Sequence, residues 1–237
     1  MRRRLLILAV AALSLAIPVR GLTTTIFDVQ YNESDQGAGN DCYPSVHGGE
    51  TVTVSGVVTA VFPGNYPNFY LQDPAGTVWS GIYFYDTTVD PMRGDSVTVT
   101  AVVEEYYGMT ELKDVAQFAI HSSGNAVPEP ADITTGTLAG GCGVLAEAYE
   151  GVLVRISAAV VTRLPDEHGQ WYVDDGTGEC QIDDGMFSYG PSLGDTIDAI
   201  TGPVDYGYNE YGILPRDASD IEARPVTEET SIYDIQY

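Results

Sequence analysis

Between residues 50 and 62 apolar and hydroxylated side chains alternate, with Val52 and Val54 set against Thr51, Thr53 and Ser55. This two-residue period predicts a strand with one buried face. The run is long enough to bend, and Gly56 in its middle marks the place, because glycine inside a strand commonly accompanies a bend or bulge. A second extended run at residues 68–72 leads through Asp73, Pro74 and Gly76 into a third at residues 78–85, a hairpin by its turn chemistry. After a polar stretch, Gly94 and Asp95 precede a fourth strand at residues 96–103, and a fifth follows the turn at Tyr107 and Gly108. Helix-period signals are nearly absent.

The same order returns on an offset of 100 residues. Glu50 matches Glu150, Val52 and Val54 match Val152 and Val154, Gly94 and Asp95 match Gly194 and Asp195, Tyr106 matches Tyr206, and Cys42 matches Cys142. The hairpin recurs at residues 170–183, around a turn at Asp175, Gly176, Thr177 and Gly178. A period this long, with strands inside each unit, signals two whole small domains rather than a solenoid. Residues 231–237 restate residues 25–31 at an offset of 206, as though a further unit were starting. Each copy orders a long curved strand, a hairpin, a connection and a second hairpin. That content predicts an all-β chain of two tandem five-stranded OB-fold Greek-key barrels. An immunoglobulin-like sandwich, the alternative, would want about seven shorter strands.

Arg2, Arg3 and Arg4 followed by the apolar stretch Leu5 to Val19 have the layout of a secretory signal peptide, so the mature protein is expected to be secreted or held at the cell surface. Ser14 and Pro18 interrupt that stretch, which is short of the roughly 20 residues a spanning helix needs. The expected division is therefore 1–21 signal peptide, 22–128 first barrel with an N-terminal extension, 129–226 second barrel, and 227–237 tail or start of a further repeat.

Acidic residues number 34 against 10 basic ones, a net charge of −24. Loss of the signal peptide removes four arginines and no acid, leaving about −28 by counting. Such a field repels phosphate backbones, whose binding draws on Lys and Arg, and it attracts cations. Export also places the three cysteines in an oxidising compartment. The expected disulfide joins Cys142 to Cys180 within the second copy; the competing pair is Cys42 with Cys142.

Candidate chemistry is sparse. His47, His121 and His168 lie far apart in polar contexts, and neither a zinc pair, a catalytic dyad nor a phosphate-cradling glycine loop stands out, so no catalytic residue is assigned. Asp174, Asp175, Asp183 and Asp184, close to one hairpin, can supply oxygen ligands to Ca²⁺, although they lack the order of a dedicated calcium loop. The aromatic residues Tyr70, Tyr83, Tyr85, Tyr106, Trp171, Tyr172, Tyr206 and Tyr208 fall on the second and third strands or near the last hairpin turn. Those are the regions through which OB barrels bind oligonucleotides and oligosaccharides, and aromatic faces can stack on a base or a sugar. Strand alternation must turn about half of them into the core.

The phrases at residues 48–61, 69–76, 94–100 and 232–237 resemble the OB-fold regions of secreted bacterial proteins that sit beside extracellular nuclease, phosphoesterase or cell-surface attachment domains. The resemblance spans roughly residues 25–222 and implies a non-catalytic binding or spacer module, with single-stranded nucleic acid, glycan or further domains of the same polypeptide as partners. The metal-binding carboxylates and paired His and Asn residues of the associated nuclease domains have no counterpart. The alternative is the N-terminal part of an extracellular nuclease whose catalytic domain lies beyond residue 237.

Overall fold

The computed structural model describes residues 21–34, 37, 41–64, 68–85 and 88–224. Residues 1–20 of the expected signal peptide 1–21, and the repeated segment 231–237, lie outside them.

The first barrel is built from β2 (Thr51–Val61), β3 (Phe69–Gln72), β4 (Gly81–Tyr85), β5 (Ser96–Tyr106) and β6 (Met109–Ser122), with the short β1 (Leu22–Thr23) added in parallel to β2. β2, β3 and β4 form an antiparallel meander. The chain then crosses over, so that β4 pairs in parallel with β6, β6 pairs antiparallel with β5, and β5 closes back onto β2. This ring of five strands with one parallel pair is the OB-type Greek key.

Between the barrels lie β7 (Ala131–Asp132), α2 (Thr135–Leu138) and α3 (Val144–Glu147). The second ring then repeats the first, with β8 (Leu153–Arg163), β9 (Trp171–Asp174), β10 (Cys180–Ile182), β11 (Thr196–Gly207) and β12 (Glu210–Ile213). β10 and β12 pair in parallel, and β11 closes on β8. β13 (Ile221–Ala223) extends it along β11. The protein is thus all-β in the sense predicted, with two OB-type barrels.

The repeat has a different phase from the one legible in sequence. β2 and β8 have the same length and begin 102 residues apart, at 51 and 153. Gly49 and Gly151 donate equivalent backbone bonds to Val103 and Val204, so Val152 is the structural counterpart of Glu50, and Glu150 is not. The two glutamates accordingly differ: Glu50 is exposed and pairs with His47, whereas Glu150 is buried. The matched Gly-Asp steps do coincide. In each, a left-handed glycine (Gly94, Gly194) turns the chain and the following aspartate accepts a backbone N–H, from Met92 or Ser192, ahead of the fourth strand.

Gly56 is needed for close approach rather than for the bulge. A Cβ there would lie 2.6 Å from the carbonyl oxygen of Gln72 on β3, whereas the register shift of β2 falls between Val58 and Ala60. Ahead of the first barrel, α1 (Ile26–Gln30) opens with a capping box between Thr25 and Asp28 and inserts Ile26 and Val29 into that barrel's core.

The two barrels share a seam. The second core extends across it to include Cys42, Ala60, Tyr70 and Met109 of the first half. Gly81 and Gly151 touch backbone to backbone, Trp79 N–H donates to the Ala148 carbonyl at 2.6 Å, and the Leu153 N–H donates to Gln72 Oε1 at 3.0 Å. The expected Cys142–Cys180 disulfide is not formed: Cys42 pairs with Cys142 across the seam, and Cys180 is a buried free thiol in β10. The reason is packing. Cys180 points into the second core, while the two lead-in loops carrying the other cysteines meet where the barrels join.

Two glutamates, Glu147 and Glu150, are buried at this seam, and a third, Glu105, is half-buried beside them. Glu105 accepts the Ser45 N–H and the Thr110 hydroxyl, each at 2.7 Å. Glu150 accepts the Thr110 N–H at 3.0 Å, and Glu147 accepts the Tyr211 hydroxyl. Among the described residues one oxygen of each has no hydrogen-bond partner. Burial raises all three pKa values, that of Glu147 to about 8 and that of Glu150 well above the usual carboxylate range.

Candidate functional site

Where the last hairpins of the two barrels come together they leave a cleft of about 590 Å³. That size falls in the range of small-molecule sites. Both hairpins turn in two residues, Tyr107–Gly108 and Tyr208–Asn209, with positive φ at every central position: 52°, 93°, 55° and 66°. These are type I′ turns, matched to the twist of the flanking strands. A bulky tyrosine at the first central position is unusual, because its Cβ crowds the backbone there. Both barrels nonetheless place one, and both rings line the cleft.

Tyr83 and Tyr85 reach the cleft from β4, Tyr106 from the end of β5, and Tyr206 and Tyr208 from the end of β11 and its turn. The rings of Tyr106 and Tyr107 stand at 87° to one another, two walls of a corner. Tyr85, Tyr106, Tyr107 and Tyr208 are between 55% and 75% exposed, so their faces are open to a ligand. Tyr206, only 5% exposed and packed on Tyr211, belongs to the floor. Phe62, Met109 and Leu214 add apolar surface.

The polar members of the cleft are Glu111, Asp183, Asp205 and Asn209. Burial pushes Glu111 up to about 7, with Glu104 adding like-charge repulsion. Asp205 is raised to about 6 by burial, against the hydrogen bond it accepts from Tyr70. Among the described residues lining the cleft none carries a positive charge.

Five of the eight aromatic residues singled out in sequence meet here, and three do not. Tyr70 is fully buried under the cleft, and its hydroxyl donates to Asp205 Oδ1 across the seam at 2.6 Å, a brace rather than a stacking face. Trp171 is 1% exposed in the second core beside Tyr189, so it offers no face to a ligand. Tyr172 lies under the Arg163 guanidinium, 3.3 Å from ring centroid to carbon, and donates to Glu210 in a separate, smaller pocket. Alternation names both faces of a strand but does not say which one is covered.

The four aspartates proposed for Ca²⁺ are occupied otherwise. Asp174 accepts the N–H groups of Gly176 and Gly178, and Asp175 accepts from Thr135 and Thr177, which makes them turn caps. Asp183 accepts from Gln170 and from the Gly185 N–H on its way to the cleft, and Asp184 packs against Gly169. Among the described residues no three His, Cys, Asp or Glu side chains converge as a metal set. Sequence reasoning misses Glu111, Asp205 and Phe62, and it names Tyr107 as a residue of the last turn. The turn tyrosine was readable beside Tyr106; the acids acquire their place only from the docking of the barrels.

Two conjoined OB-type barrels with an aromatic and acidic cleft at their seam define the class of the molecule. No family model matches the chain. Over 140 residues, half of the chain, it is 29% identical to Endonuclease YhcR of Bacillus subtilis (strain 168), and this stretch covers 11% of that protein's length. Among solved structures, a murine DNA-binding protein bound with double-stranded DNA is 12% identical over 68% of this chain and 92% of its own, at a TM-score of 0.31. A multidomain protein with nucleic-acid-binding domains from Streptococcus pneumoniae is 12% identical over 71% of this chain and 46% of its own, at a TM-score of 0.22. With scores this low, the strand pairing itself carries the fold assignment. Among the described residues no helix is long and apolar enough to cross a membrane.

Proposed function

We propose that the chain is a non-catalytic binding module of an extracellular protein, composed of domains 22–128 and 129–226, and that its inter-barrel cleft holds a glycan. One observation carries the reading: tyrosines from both barrels converge on a single cleft with their ring faces exposed. Sugar rings present C–H faces that stack on aromatic rings and hydroxyls that donate to carboxylates, and Glu111 and Asp183 supply the acceptors. Export is supported by the Arg2–Arg4 and Leu5–Val19 pattern and by the seam disulfide, and mass spectrometry of the secreted N-terminus tests it.

Calorimetric titration of the mature chain with an oligosaccharide panel is the direct experiment. Tyr106→Ala and Tyr208→Ala should each weaken binding about tenfold, the value of one lost stacking face. Tyr172→Ala, outside the cleft, should leave affinity unchanged. Absence of binding to every glycan would overturn the reading.

A second reading is favoured by the similarity to Endonuclease YhcR: the module serves a longer nuclease and stacks single-stranded nucleic acid on the same tyrosines. The charge of −24 then requires divalent cations to bridge carboxylates and phosphates. Titration with single-stranded DNA, with and without Ca²⁺, decides it, and no signal in either condition rules that partner out.

A further inference from the structure

We propose that the ligand of the cleft is cationic: a glycan bearing an ammonium group, seated among the tyrosine faces and beside the carboxylates of Glu111, Asp183 and Asp205. The inference rests on the glycan reading and narrows it.

The composition of the walls is the starting point. Ring faces carry negative potential and attract cations most strongly where water is displaced. Here Tyr83, Tyr85, Tyr106, Tyr107 and Tyr208 present rings from both barrels, and the perpendicular pair Tyr106 and Tyr107 gives two walls at once. Three carboxylates share the same space, and no lining residue among those described compensates them. Lys113, whose charge also reaches Glu111, is held in an ion pair with Glu104 and does not line the cleft. His168 stacks on Tyr208 at the rim, 5.4 Å between centroids. A neutral ligand would leave the buried Glu111 and the half-buried Asp183 and Asp205 as they are, a phosphate would be repelled, and an ammonium supplies the charge the site lacks.

The titration behaviour agrees. Glu111 faces Glu104, Glu105, Lys113 and Tyr83, and Asp205 faces Tyr70, Tyr83 and Asp183. In these surroundings burial holds Glu111 near 7 and Asp205 near 6, so both are partly protonated in mildly acidic solution. A bound cation favours their ionised forms, and its binding releases protons. Affinity for a permanent cation therefore rises as pH climbs through 6 and 7 and levels off above.

The test uses two glucosamine trisaccharides with identical rings and linkages, one N,N,N-trimethylated and the other N-acetylated, titrated into the mature chain at pH 5 and pH 8. The trimethylated ligand should bind at least tenfold tighter than the acetylated one at pH 8, with a smaller advantage at pH 5. Glu111→Gln should weaken the trimethylated ligand about tenfold and flatten its pH dependence. Equal affinities at pH 8, or preference for the acetylated ligand, would overturn the cationic proposal and leave the glycan reading standing. Failure of both ligands to bind, together with a silent oligosaccharide panel, would overturn both.

Discussion

Tyr107 and Tyr208 sit at backbone angles that suit glycine or asparagine. Holding a bulky residue in the left-handed region costs on the order of 1 kcal/mol or more, a cost found where a side chain has work to do. Replacing Tyr208 by asparagine should therefore raise stability by about 1 kcal/mol in urea denaturation while weakening cleft binding. A variant that lost stability would show that the ring's packing on His168 outweighs the strain. The residue scale also shows what sequence could offer. The last hairpin turn is readable from its glycine and asparagine residues, and Tyr106 and Tyr208 stand out in sequence by lying at it. Trp171 and Tyr172, adjacent on one strand, end up in a core and over a separate pocket, and only the packed fold separates them.

Among the elements, the barrel strands were legible because their alternation, their turn residues and the Gly-Asp steps all agree. The phase of the repeat was not. Glu and Val recur 100 residues on, but the first strand of the second barrel is displaced by two further positions, and a period-2 pattern matches itself after any even shift. This is why Glu150 looked like a copy of Glu50. The lead-in helix α1 escaped prediction because five residues carry too little of a helical period, and its Thr25 and Asp28 capping box does the work that length does not. Thr25→Ala should cost about 1 kcal/mol in urea denaturation, and a change near zero would show that burial of Ile26 and Val29 suffices to hold the helix.

For the whole molecule, the buried glutamates of the seam set a pH dependence. Their pKa values are raised in the folded state, so their contribution is complete below about 4.5, the unfolded value, and is lost as pH rises toward about 8 for Glu147. Stability should fall between pH 5 and pH 8 by an amount on the order of a few kcal/mol, since each pKa unit is worth about 1.4 kcal/mol. At the acid end the sign reverses: Asp217, lowered to about 2 by the Ser219 hydroxyl with Arg93 adding to it, loses its contribution as pH drops below 4. Chemical denaturation across this range should give a maximum near pH 4 to 5, and Glu150→Gln should flatten the neutral limb and raise stability at pH 8. A flat profile for the unmodified protein would mean that water reaches these carboxylates. Reduction of the Cys42–Cys142 bond, which closes a separation of 100 residues, should cost about 4 to 5 kcal/mol on the loop-entropy account, measured by denaturation with and without reductant. The glutamate effect is not legible in sequence, because it depends on one barrel burying residues of the other, whereas sequence offers the Cys42–Cys142 bond only as the second of two pairings.

The seam bond joins one cysteine from each copy, and the cleft takes its rings from each. Excising either copy would leave half a cleft, an unpaired thiol and glutamates opened to water. Either barrel expressed by itself should therefore be less stable than the pair and carry no complete site, so the working unit of this chain is the couple.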